Sequence, residues 1–294
     1  MIELWQYEFM QRALVAAVLV GLVTPVIGTF LVQRRLALLG DGIGHVALTG
    51  VALGLLTSTS PVLTAAVVSV VGAVLIELVR VRTRTSGDVA LALLFYGGIA
   101  GGVLLIGLNP GASNATLTEY LFGSVSTVSE QDVVVVAALA VGVIAVVAVY
   151  GRELFVLCQD EEVARAHGLP VRFLSILLAV TAALTVVIAM RIVGVLMVSA
   201  LMIVPVAAAQ QLSKSFRVTM FLAVAIGLVS SLGGLTTAFY SDLAPGATIV
   251  LLALALFCLA VGVGAVRKFR PRQGPSGPEI GTMPQSERGR RVTP

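Results

Sequence analysis

The sequence predicts an all-α polytopic membrane protein, a bundle of about nine transmembrane helices within a range of eight to ten. Three observations predict it. Hydrophobic residues make up 58% of the 294 residues and charged residues only 12%, with a mean hydropathy of +1.03, values outside the range of soluble domains. Apolar runs recur at the length that crosses a hydrocarbon core, about 20 residues. Lys and Arg gather at alternate ends of those runs, as orientation signals do.

The runs fall at 10–32, 36–57, 61–80, 89–108, 132–150, 173–190, 193–212, 218–239 and 246–266. Glu3 and Glu8 precede the first, and no small-residue cleavage site follows a short apolar core, so this run is expected to stay as a helix rather than serve as a cleaved signal. The second carries Asp41 and His45. The third ends with Glu77 and Arg80, whose i, i+3 spacing predicts an ion pair at the helix end. The fourth contains two small-xxx-small pairs, Gly97 with Gly101 and Gly98 with Gly102. The stretch NPGASNATLTEYLFGSVSTVSEQD, 109–132, is too apolar in its middle for a plain loop and is expected to hold a short external or re-entrant helix. Only Met190, Arg191 and Ile192 separate the sixth run from the seventh, which makes this the least marked boundary. Residues 1–268 are read as one transmembrane domain. Residues 269–294 are rich in Pro, Gly and charge, cannot bury enough apolar surface to fold, and are expected to form a disordered tail.

If Gln33-Arg34-Arg35 is cytoplasmic, alternation places 80–84, 151–172, 213–217 and 267 onward on the same side. Of the 19 Lys and Arg residues only Arg12 and Arg191 then lie outside. The chain is accordingly expected in a plasma or inner membrane, with the amino terminus outside and the tail in the cytoplasm. The same clustering at the ends of apolar runs explains the net charge of +4 without nucleic acid; the arginines of the tail either stay solvated or touch anionic membrane lipid. Cys158 and Cys258 lack CxxC or CxxH spacing and are read as small apolar fillers. No GxxxxGK[ST], HExxH or GxSxG is present, so the chain is not expected to hydrolyse ATP or to act as an enzyme by itself.

Chemistry concentrates in LLGDGIGHVALTG, 38–50. Asp41 and His45 are spaced i, i+4 and project from one helix face. A charged side chain near the bilayer centre costs roughly 2.5–3.5 kcal/mol even on the lenient insertion scale, so such groups usually face a pathway or a partner. A carboxylate with a neutral imidazole suits zinc, manganese or iron(II). Two ligands do not complete a coordination sphere. Gly40 with Gly44, and Gly50 with Gly54, allow close helix packing, either within one bundle or against a second copy that brings a second Asp41 and His45.

The second informative stretch is CQDEEVARAHGLPVRF, 158–173. Asp160 can cap a helix, Glu161 and Glu162 suit its first turn, and Gly168 with Pro170 stops it. Two turns are not stable alone in water, so this helix docks on the chain's own loops or on a partner.

In order along the chain, the stretches GTFLVQRRLALLGDGIGHVALTGVALG (28–54), EYLFGSV (119–125), DEEVARAHGLPVR (160–172), VGVLMVSALMIVPVAAAQQL (193–212) and DLAPGATIVLLA (242–253) resemble those of one family. It is the integral membrane permease of the ABC importers for zinc, manganese and iron, and the similarity runs from about Phe9 to Val266. The resemblance implies a type II ABC importer permease-like bundle acting as a homodimer. Its partners would be a cytoplasmic ATP-binding subunit and an extracytoplasmic metal-binding protein. The divalent ion is cargo, and no cofactor is held permanently. The family's GDxxSH element falls on Gly40, Asp41 and His45, and the resemblance implies that Asp41 and His45 coordinate the passing metal. The family's DPExARxLGLP-like element falls on Asp160, Glu162, Ala164, Arg165, Gly168, Leu169 and Pro170, which, with Glu161 between them, implies the segment that couples to the ATPase. Gly44 stands where the family usually has Ser, Thr49 where it often has Pro, and His167 where an apolar residue is usual. Two other readings of the residues are a secondary or proton-coupled metal transporter using Asp41 and His45 as a relay, and a permease for iron-siderophores or corrinoids. The first has no need of a docking helix at 158–173, and the second no need of an ionisable pair.

Overall fold

The structure, a computed structural model, describes residues 7–82, 87–109, 119–124 and 129–269. Among them every regular element is helical: α1 (Glu8–Gln33), α2 (Leu39–Leu56), α3 (Pro61–Arg82), α4 (Gly87–Gly107), α5 (Glu130–Gln159), α6 (Glu161–Ala166), α7 (Val171–Val193), α8 (Val195–Leu212), α9 (Phe216–Ser241) and α10 (Pro245–Phe269). Seven are long and apolar enough to cross a membrane, and α4 and α8 supply shorter apolar segments, Leu91–Gly107 and Met197–Leu212. Together they account for the nine predicted runs. The tail, 270–294, lies outside the described residues, as do 110–118 and 125–128 of the segment expected to hold an external helix; 119–122 form a single helical turn.

Two boundaries differ from expectation. The fifth run was read as ending at 150, but α5 continues to Gln159 because Leu154, Leu157 and Cys158 recur at helical spacing and bury against the core. The connection expected over 151–172 thereby shrinks to α6 and its flanks. Helices α7 and α8 are divided at Gly194, not at 190–192. Gly194 has φ +84°, a left-handed conformation open to glycine at little cost, and a Cβ there would collide with the backbone of 121–123. The 119–122 turn therefore plugs directly into the α7–α8 break, with Tyr120 buried.

The bundle is layered. Of the spanning stretch of α7, 72% is buried, against 17% for α5, so α7 with α1 and α2 forms the interior and α5 and α10 the periphery. Helix α2 is packed by α3, α4, α7 and α8. With no hydrophobic drive between helices in lipid, such packing relies on small residues that let backbones meet. A Cβ on Gly98 of α4 would lie 2.7 Å from the His45 carbonyl carbon and the Val46 nitrogen.

Ion pairs mark the two ends. At one end Arg34 meets Glu161 and Arg80 meets Glu77, and Gln33 bonds Gln159; the i, i+3 pair read from sequence forms at 2.8 Å. At the other end Arg12 bonds Glu130 and Arg191 bonds Asp132, both at 2.6 Å. The basic connections 33–35, 80 and 165–172 thus share one end of the bundle.

Candidate ion site and docking segment

Asp41 is the third residue of α2, whose N-cap, Leu38, offers no side-chain bond to the first-turn N–H groups. A carboxylate in that turn is favoured by the helix dipole. The Asp41 Oδ1 accepts a hydrogen bond of 3.3 Å from Ser199 Oγ on α8. Asp41 also lines a cavity of about 250 Å³ with Leu38, Leu91, Ala92, Phe95 and Tyr96. His45 follows one turn deeper and is only 9% exposed, its ring set edge-on to Phe95 at 4.4 Å between centroids. Phe95 therefore forms part of the cavity wall beside Asp41 and also orients the imidazole. One turn further, Thr49 Oγ1 donates to the Gly98 carbonyl at 2.7 Å, tying α2 to α4.

The four glycines of the two α2 small-xxx-small pairs face the chain's own helices. A Cβ at Gly40 would rest on Met202 and Ser199, and one at Gly44 on Val195, all on α8; Gly50 and Gly54 abut Thr64, Ala65 and Pro61 of α3. The small residues thus let α8 approach closely enough for Ser199 to reach Asp41. The cavity itself opens toward the surface of the bundle, where Leu38 is 67% and Tyr96 is 68% exposed. Among the described residues no three His, Cys, Asp or Glu side chains converge. One chain therefore brings a carboxylate and a neighbouring hydroxyl to the cavity, with the imidazole one turn deeper and outside its lining: hard and borderline donors, no thiolate, a set that could hold a divalent transition ion.

At the basic end the docking segment is built from short-range chemistry. Asp160 Oδ1 accepts from the Glu162 and Val163 N–H groups at 2.8 and 3.2 Å and so caps α6. Gly168, at φ +74°, ends it, and the Leu169 N–H returns to the Ala164 carbonyl. Ala164 is fully buried, and Glu161 is held by Arg34 at 3.1 Å while also meeting Arg165. Arg34 donates in addition to Ser175 Oγ at 3.0 Å. Burial, chiefly, and the neighbouring Arg80 push the Arg34 guanidinium below its ordinary pKa, with Glu77 and Glu161 opposing. One face of α6 thus docks on its own chain. Glu162, Val163, Arg165, Ala166 and His167 remain exposed, with Gly168 and Pro170 beside them and Leu169 half-buried.

Ser199, Phe95 and Arg34 carry no signal relative to Asp41 or α6 in the sequence; helix packing alone brings them to the site.

The family model described as ABC 3 transport family matches residues 6–264. The manganese transport system membrane protein MntC of Listeria innocua is 35% identical over 271 residues, covering 92% of this chain and 94% of that protein. A probable iron transport system membrane protein of Haemophilus influenzae is 30% identical over 267 residues, covering 91% and 98%. Among solved structures, PsaBC from Streptococcus pneumoniae, determined in complex with Fab, matches with a TM-score of 0.79 at 30% identity, covering 87% of this chain and 92% of that one.

Proposed function

The chain belongs to the ABC 3 transport family of metal transporter permeases, and from that premise we propose that it is the membrane-spanning subunit of an ATP-driven, binding-protein-dependent importer of a divalent transition metal. One observation carries the reading: Asp41 and His45 stand one turn apart on an interior helix, with a hydroxyl brought to Asp41 from α8 and a cavity opening beside it. A half-buried carboxylate and a buried imidazole so arranged in a membrane bundle favour an ion path.

Two copies would meet across the face where the Asp41 cavity opens, so that two carboxylates and two imidazoles surround the passing ion. The donors are few and the site is open. A site that held its ion like a structural zinc centre would not release it. ATP hydrolysis belongs to a separate chain seated on the exposed face of α6, and an extracytoplasmic protein delivers the ion at the end marked by Arg12 and Arg191. Manganese is the first ion to test, given the 35% identity to manganese transport proteins; iron(II) and zinc share the same donor chemistry.

The test is uptake by the permease reconstituted with its ATPase and binding protein. Asp41→Ala and His45→Ala are each expected to assemble normally and lose ATP-dependent manganese uptake. Full uptake by both variants sinks the site.

A further inference from the structure

A concavity separate from the Asp41 cavity lies at the basic end of the bundle, between α1, α5 and α9. It encloses about 590 Å³, inside the range of about 300–1,000 Å³ typical of ligand pockets. Its floor is aromatic: Phe216 packs on Phe155 at 4.7 Å and on Phe30 at 5.4 Å between centroids, and Val147 and Met220 extend the apolar wall. Its rim is cationic. Arg152 comes from α5 and Arg217 from the first turn of α9, both exposed, and among the described residues neither pairs with a carboxylate. Ser215, the N-cap of α9, makes no side-chain cap bond, so the first-turn N–H groups add to the positive field beside Arg217. None of these residues lines the Asp41 cavity.

An apolar trough with two unneutralised guanidinium groups at its mouth, at the end of a transmembrane bundle, is complementary to one amphiphile. We propose that this recess binds a single anionic phospholipid, its phosphate between Arg152 and Arg217 and an acyl chain along the Phe30, Phe155 and Phe216 floor. Planar guanidinium forks match phosphate geometry, and basic pockets between helices at the membrane surface take anionic headgroups. The ligand would bridge α5 and α9 at the end of the bundle that carries α6.

The permease, purified with its ATPase in mild detergent, is titrated with phosphatidylglycerol or phosphatidylcholine and read by native mass spectrometry. One phosphatidylglycerol per permease chain is expected, bound roughly thirtyfold more tightly than phosphatidylcholine, the factor two basic side chains supply. The double variant Arg152→Gln/Arg217→Gln is expected to erase the preference. Gly151→Leu, placed where only Val147 Cγ1 lies within 4 Å of an added Cβ, fills the trough, leaves both charges, and is expected to lower binding of either lipid. Equal retention of the two lipids by the native chain, an unchanged preference in the double variant, or displacement of the lipid by excess inorganic phosphate would overturn the assignment.

Discussion

Arg34 and Glu161 meet at 3.1 Å, and the same guanidinium reaches Ser175 at 3.0 Å. One side chain at the end of α1 thereby fastens the docking helix α6 and the start of α7 to the short connection that leads into α2 and Asp41. A push on α6 has a direct mechanical route to Asp41.

Arg34→Gln is expected to uncouple the machine rather than dismantle it. Hydrogen bonds to a charged group are worth about 1.5–3 kcal/mol, so metal uptake per ATP hydrolysed should fall about tenfold or more while ATPase association persists. Uptake and hydrolysis measured on the same proteoliposomes give the ratio; an unchanged ratio removes Arg34 from the route.

Exchanges on the exposed face of α6 should behave in the opposite way. Glu162→Ala with Arg165→Ala alters no buried contact, and the exposed Arg165–Glu161 pair contributes little by itself. Permease melting temperature should be unchanged while affinity for the ATPase chain drops. Co-purification yield and a thermal scan separate the two.

Ser199→Ala tests the hydroxyl beside Asp41. Losing one hydrogen bond of about 1 kcal/mol should raise the KM for manganese uptake about fivefold and leave the maximal rate nearly intact. A KM equal to that of the native chain would show that the 3.3 Å contact has no bearing on the ion.

Gly97 and Gly98 form an internally controlled pair. A Cβ at Gly98 meets His45 and Val46 backbone atoms at 2.7 Å, whereas nothing lies within 4 Å of one at Gly97. Gly98→Ala is expected to destabilise by about 1–3 kcal/mol, the usual range for overpacking, and Gly97→Ala to be neutral. Equal melting temperatures for the two variants would contradict the α2–α4 packing.

Much of the bundle was legible because lipid leaves few choices: an apolar run of spanning length has to be a helix. The nine runs and the Glu77–Arg80 pair are therefore written locally. What escaped depends on tertiary contact. The end of α5 is set by Leu154, Leu157 and Cys158 finding the core, and the α7–α8 division by the 119–122 turn pressing on Gly194, neither of which hydropathy registers. Asp41 and His45 stood out through their cost in lipid. Ser199 did not, being an ordinary helical serine 158 residues from its partner.

The placement of Asp41 has an electrical meaning. It is the third of 18 residues in α2, so it lies only about 3 Å along a helix of about 27 Å, measured from the basic end. Under the proposed function, a divalent ion entering from the opposite end would cross most of the membrane's voltage drop before it reached the carboxylate. Each elementary charge gains about 2.3 kcal/mol per 100 mV of inside-negative potential. On the proposed import reading, with the basic end toward the cytoplasm, the field would do nearly all its work upstream of Asp41, and the final release would be an almost voltage-independent step.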